Sequence, residues 1–300
     1  MARHFLSLFD LDRDELRALL RRASELKRLR AAGVRPLLFE RKVLAMIFEK
    51  SSTRTRVSFE AAMAEGGGGA VFLANQDSQV GRGEPIADTA RVLTEMSDVI
   101  AARTFAHDTV VQLAANARVP VINALTDRLH PCQVLADLQT YFEHRGDIAG
   151  RRVAWIGDGN NMCNSYIEAA QLFDFELVIA APPSLTPDVD SLVRGAANIS
   201  LESDPQRAVV DADLVVTDVW VSMGQEAGTE ARRELLRGYQ VNAQLMARAS
   251  ASALFMHCLP AHRGEEVTAE IIDHPNSVVW DEAGNRLHAQ KALLEFLLQS

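Results

Sequence analysis

Ser52-Thr53-Arg54-Thr55-Arg56 sets hydroxyls and guanidinium groups side by side, between an apolar run (Val43 to Phe48) and a helix-patterned segment (Val57 to Glu65). A strand that stops at such a turn and re-enters as a helix leaves backbone N–H groups unpaired at the helix start, at the positive end of its dipole. That is an anion site, and guanidinium groups and hydroxyls suit the oxygens of a phosphate. The segment has none of the glycines of a P-loop. An ordinary capped helix with solvated arginines satisfies the same five residues, so the segment alone leaves both readings open.

Other groups follow apolar runs in the same way. Gly157-Asp158-Gly159-Asn160-Asn161 resembles half of a dinucleotide fingerprint, but Met162 stands where the third glycine belongs, and Pro182-Pro183 follows the next strand in place of a ribose-binding acid. A nicotinamide cofactor is therefore disfavoured. The two Asn amides can fix a polar amino-acid substrate, and Asn160 can equally cap a helix. His130-Pro131-Cys132-Gln133 closes one strand and His257-Cys258-Leu259-Pro260 another. Cys258 is either a small buried hydrophobe or a polarised thiol facing a ligand. Asp218, with Ser222-Met223-Gly224 beyond it, offers a carboxylate that suits a cationic amine.

The elements that must position these groups are legible as alternating short apolar runs and helical patterns. Candidate strands are Val43–Phe48, Ala70–Leu73, Val99–Ala102, Val121–Ala124, Val153–Ile156, Glu176–Ala180, Leu214–Val219, Ala253–His257 and Val278–Trp280. Most lack the period-2 alternation of a half-exposed strand, which indicates parallel strands covered on both faces in βαβ units. The spacing predicts an amphipathic first helix from about Asp12, with Leu16, Leu19, Leu20, Ala23 and Leu26 on one face, and a last helix over 290–298. The glycines 66–69 permit a tight reversal after the helix that follows the hydroxyl-rich turn. A helix over 133–144 bridges two halves, with a joint at 146–150.

The 300 residues, 48% hydrophobic and 24% charged, suit a soluble protein of two α/β domains. A net charge of −9 disfavours nucleic-acid binding, so any anion site needs a local positive pocket, which Lys50, Arg54, Arg56, Arg82 and Arg103 can supply. No run of apolar residues is long enough for a membrane span, and no secretory signal or transit peptide is recognisable. The cysteines Cys132, Cys163 and Cys258 form neither a disulfide framework nor a zinc pattern, and a reducing cytoplasm fits them.

Taken together, the motifs resemble the aspartate/ornithine carbamoyltransferase family. The resemblance runs from Phe48–Phe59 through Ser78–Glu84, Arg103-Thr104, His130–Gln133, Asp218–Gly224 and His257–Pro260 to Asn285–His288. It implies two doubly wound parallel-sheet α/β domains joined by interdomain helices: residues 1–146 for carbamoyl phosphate, with 284–300 packing back on them, and 147–283 for the amino acid. The acceptor implied is L-ornithine rather than aspartate. An aspartate-specific member is expected to carry a lysine near position 82 and an arginine in the second-domain loop, whereas here the loops read Gln79-Val80-Gly81-Arg82-Gly83 and Asp218–Gly224.

By the same resemblance, Ser52, Thr53, Arg54 and Thr55 hold the phosphate, and Arg103 bridges phosphate and carbamoyl oxygen. His130 and Thr55 donate to that oxygen. Gln133 and the Cys258–Leu259 backbone accept from the carbamoyl NH2, with Pro131, Cys132 and Arg286 completing the site. Gln79 reaches a neighbouring subunit, which implies a homotrimer. Asp218 orients the δ-amine with Cys258 beside it, and Asn161, Ser222 and Met223 hold the α-amino and carboxylate ends. No cofactor or metal is implied. The free δ-amine has a pKa of about 10.4, so the site must select or create its neutral form. Alternatives are a related acceptor such as putrescine or a modified ornithine, the catabolic rather than the favoured biosynthetic direction, and a non-catalytic binding protein.

Overall fold

The computed structural model describes residues 2–74, 83–188, 198–221 and 229–299. These divide into two compact units, residues 1–139 with 284–300, and residues 140–283.

The first unit contains α1 (Arg13–Ala31), β1 (Val43–Phe48), α2 (Thr53–Glu65), β2 (Gly69–Ala74), α3 (Ile86–Thr94), β3 (Val99–Arg103), α4 (His107–Asn116), β4 (Val121–Leu125) and the start of α5 (Pro131–Arg145). Helix α1 begins where its sequence demands. The Asp12 carboxylate accepts from the Asp14 and Glu15 backbones while Glu15 reaches back to the Asp12 N–H, and all five apolar residues named for its inner face are buried. Helix α2 ends at Gly66, where a Cβ would lie 2.2 Å from the Phe39 ring, and Gly67 takes a left-handed φ of +80°. The parallel sheet has the order β2-β1-β3-β4. Since β1 is flanked by β2 and β3, the direction in which strands are added reverses between β1 and β3, and crevices at the carboxyl ends of such parallel strands are where these sheets bind ligands. Phe48 and Arg103 are paired residues at that edge.

The second unit continues with β5 (Arg152–Ile156), α6 (Asn161–Phe173), β6 (Glu176–Ala180), β7 (Ile199–Glu202), α7 (Pro205–Ala208), β8 (Leu214–Thr217), α8 (Thr229–Leu236), α9 (Ala243–Met246), β9 (Leu254–His257), α10 (Ala269–Ile272) and α11 (Val279–Gln299), whose residues from Gly284 belong to the first unit. Its parallel sheet has the order β7-β6-β5-β8-β9, so its reversal lies between β5 and β8. Ile156 and Thr217 pair there, immediately before Gly157 and Asp218. Buried Ala154, Ile156, Val178, Val215 and Phe255 form part of one continuous core with Trp220, Val241 and Ile271.

One expected strand is corrected and one strand was not expected. Val278–Trp280 is not a strand: Ser277 makes a single bridge to Phe255, the Val278 N–H donates to the Phe255 carbonyl, and α11 starts at Val279 with Asp281 and Glu282 in its first turn. Acidic residues there favour the positive end of a helix, which the β-branched pair concealed. Conversely, β7 was not anticipated, because Ile199-Ser200-Leu201-Glu202 is an edge strand whose alternating polar residues weaken its apolar signal. Among the described residues no helix is long and apolar enough to cross a membrane.

Candidate active site

In the first unit the hydroxyl-rich turn forms as a capped helix start. Ser52 is extended (φ −158°, ψ 113°), and its Oγ accepts from the Thr55 N–H at 3.3 Å. The capping and anion-binding readings are therefore compatible, because the cap uses one N–H of the first turn. Thr55 is buried, and its Oγ1 accepts from Arg286 Nη2 at 3.1 Å. A hydroxyl that accepts in this way keeps its own proton for donation.

Arg286 comes from α11, and its Nη1 donates to Gln133 Oε1 at 2.5 Å. Gln133 in turn donates through Nε2 to Asp137 at 2.9 Å, so its orientation is fixed along α5. Pro131 opens that helix, where its missing N–H costs nothing. His130, just before it, is buried. Its pKa lies well below the ordinary 6.5, first because of burial and then because Arg286, Arg103 and Arg54 oppose a further positive charge. Those three arginines are the local positive pocket that an acidic protein needs.

Of two other residues named for that pocket, Arg56 is directed elsewhere and Lys50 stands at its margin. Arg56 lies 3.9 Å over the Phe72 ring and donates to Glu60 at 2.9 Å. Lys50 lies 4.3 Å over Phe105 and has a lowered pKa, through burial and then the charge of Arg103. Cys132 is an inert packing thiol that donates to the Asn123 carbonyl at 3.3 Å, with its pKa pushed up to about 12 by burial. Gln79 and Arg82 lie outside the described residues.

In the second unit Asp218 stands at the end of β8, 8% exposed. Its Oδ1 accepts from Cys258 Sγ at 3.1 Å and from the Val219 N–H at 2.8 Å, and its Oδ2 accepts from Asn160 Nδ2 at 2.7 Å. Asn160 takes the capping role, its oxygen accepting from Met162 and Cys163 at the start of α6 while its amide nitrogen holds Asp218. Asn161 is the first residue of α6, while Ser222 and Met223 lie outside the described residues. Cys163 is buried packing, with burial holding its thiol well above the usual range.

The half-fingerprint fails physically as well as by pattern. A Cβ at Gly159 would lie 2.3 Å from the Pro187 backbone nitrogen, and the Gly159 N–H donates to the Leu185 carbonyl at 2.8 Å. The second glycine admits this chain's own loop where a dinucleotide fold admits a pyrophosphate.

Sequence reasoning missed the groups that fix the Cys258 loop. Leu259 has a left-handed φ of +57°, and its N–H donates to His257 Nδ1 at 2.9 Å. Nδ1 must then be the acceptor, so Nε2 carries the proton and donates to the buried Glu266 at 3.1 Å. A His flanked by a Cys gives no hint of a carboxylate nine residues on; the available signal was only that a buried Glu needs a partner. Among the described residues two clusters hold metal-ligating atoms within 4.8 Å, Asp218–His257–Cys258 and His262–Glu265–Glu266. In the first both His257 nitrogens already have partners, and in the second Glu265 pairs with Arg233.

Comparison with known proteins is consistent along the whole chain. Residues 3–143 match the model of the aspartate/ornithine carbamoyltransferase carbamoyl-P binding domain, and residues 149–297 match that of the Asp/Orn binding domain. An ornithine carbamoyltransferase from Methylococcus capsulatus is 62% identical over 296 residues, covering 99% of this chain and 98% of that protein. An anabolic ornithine carbamoyltransferase from Pseudomonas aeruginosa is 57% identical over 297 residues, covering 99% and 97%. The solved structure of ornithine carbamoyltransferase from Pyrococcus furiosus superimposes with a TM-score of 0.93 at 50% identity, covering 98% of this chain and 96% of that one. With both domain models matching in order along the chain, and relatives 62% and 57% identical over nearly its whole length, the chain belongs to the aspartate/ornithine carbamoyltransferase family.

Proposed function

We propose that the chain transfers the carbamoyl group of carbamoyl phosphate to the δ-amine of L-ornithine, giving L-citrulline and phosphate, in the biosynthetic direction that leads to arginine. The observation that carries this reading is the buried imidazole of His130 kept neutral among Arg54, Arg103 and Arg286. Such a group donates a hydrogen bond to a carbonyl oxygen without adding positive charge of its own. The guanidinium groups meet the dianionic phosphate, with Ser52, Thr53 and the α2 start completing the cradle.

Attack by the amine nitrogen on the carbamoyl carbon forms the C–N bond and loads charge on the carbonyl oxygen. His130 and the Thr55 hydroxyl donate to that oxygen, as an oxyanion hole does. Collapse breaks the C–O bond to phosphate, which leaves with the electron pair and takes up the proton that the amine nitrogen loses. Arg103 balances the charge that shifts between the oxygens, and Gln133 keeps a second lone pair for the carbamoyl NH2 beside the one Arg286 uses. Asp218 receives the amine, its carboxylate held by Asn160, Val219 and the Cys258 thiol. Asn161, Ser222 and Met223 hold the amino-acid end. Catalysis is then positioning and electrostatics.

In this reading residues 1–146 with 284–300 bind carbamoyl phosphate, residues 147–283 bind ornithine, and Cys258, Leu259 and Pro131 contribute through their backbone or position. The protein works in the cytoplasm as a homotrimer in which Gln79 serves a neighbouring subunit. The test is simultaneous assay of citrulline and phosphate from carbamoyl phosphate and ornithine, with light scattering for the assembly. Equal release of both products by a trimer is expected; phosphate release without citrulline contradicts the transfer.

A further inference from the structure

The chemistry proposed above makes no use of one fully buried amide, that of Gln290 on α11. With its oxygen turned to Arg286, it accepts from Nε at 3.2 Å and from Nη2 at 2.8 Å, while its NH2 donates to Ser58 Oγ at 2.5 Å. This orientation pairs every donor with an acceptor; the reverse one sets like against like. Ser58 Oγ lies 2.7 Å from the Arg54 carbonyl and 3.0 Å from the Thr55 carbonyl, so it ties the amide to the first turn of α2. Arg286 and Gln290 are four residues apart and share a helix face.

We propose that Gln290 is a positioning residue for carbamoyl phosphate binding: anchored by Ser58, it fixes the plane of the Arg286 guanidinium. A guanidinium is a rigid fork, so two bonds through Nε and Nη2 determine where Nη1 points, here to Gln133, and which oxygen Nη2 meets, here Thr55. An amide suits the task better than a carboxylate. It orients Arg286 without cancelling the positive charge that the anion needs, and it supplies the donor that Ser58 accepts. The inference rests on the proposed role of Arg286 and adds a residue outside every motif of the sequence.

Gln290→Met preserves side-chain length and removes both polar atoms. Steady-state kinetics of the full-length enzyme should show the carbamoyl phosphate KM raised about tenfold, as expected for lost hydrogen bonds to a charged group. The ornithine KM should stay within about twofold, as should the effect of adding Gln290→Met to Arg286→Ala, because the residue acts only through the arginine. Gln290→Ala runs the same cycle if the Met variant does not fold. Equal effects on both KM values, no effect, or full additivity with Arg286→Ala would overturn the proposal. Wild-type enzyme that makes no citrulline would overturn the reading of the reaction itself, and this inference with it.

Discussion

Replacing His130 with Gln removes a buried imidazole whose pKa is held well below 6.5 by burial and by the charges of Arg286, Arg103 and Arg54. In the unfolded chain the same imidazole titrates near 6.5. Above that pH both states are neutral and His130 has no effect on the pH dependence of folding. As pH falls below it, the unfolded state binds a proton that the folded state refuses, so stability is lost until pH reaches the lowered folded value. Each pH unit between 6.5 and the lowered folded value removes at most about 1.4 kcal/mol. His4 and His107 are also lowered, chiefly by burial, and steepen the acid slope of both proteins alike. Urea unfolding of wild type and His130→Gln, at about pH 7.5, 6 and 5, isolates the contribution of His130 as the difference in slopes. The variant should lose less stability in acid than wild type, by up to about 1.4 kcal/mol per pH unit below 6.5. Saturating phosphate should flatten the wild-type slope further, since an anion among the arginines offsets the charge that opposes protonation. Parallel losses in the two proteins would refute the assignment of a neutral, charge-surrounded imidazole.

Two substitutions test the halves of the site separately. Arg54→Ala should weaken phosphate binding, read by calorimetry, by about 10- to 100-fold with unchanged circular dichroism; near-normal affinity would remove Arg54 from the cradle. Cys258→Ser places a different donor against Asp218, 3.1 Å away in the native protein. It should change the pH profile and the ornithine KM and leave phosphate affinity as it was, and equal weakening of both substrates would make Cys258 a structural residue.

Most of the parallel strands and the start of α1 were legible because each is a local signal, a short apolar run or a cap such as Asp12 with Glu15, whereas β7 and the start of α11 at Val279 were not. The candidate site was legible because the hydroxyls, Arg54, Arg103, His130 and Asp218 lie at or just after strand ends, whereas Arg286 lies within α11. What escaped depends on partners distant in sequence. Gln290 reads as one polar residue in a helix pattern until Arg286 and Ser58 are brought against it. His257 reads as a neighbour of Cys258 until Glu266 fixes its tautomer and Leu259 uses its other nitrogen. Arg56 reads as a cradle residue, but its spacing to Glu60 and its contact with Phe72 draw it to the outer surface.

The central claim is transfer to ornithine, and the most direct measurement is carbamoyl transfer to ornithine, putrescine, N-acetylornithine and aspartate assayed in parallel with the wild-type protein. Product formed with ornithine alone is the predicted result. Turnover with putrescine, N-acetylornithine or aspartate in preference to ornithine would contradict the amino-acid site built around Asp218 while sparing the phosphate cradle, and no turnover with any acceptor would contradict the account as a whole.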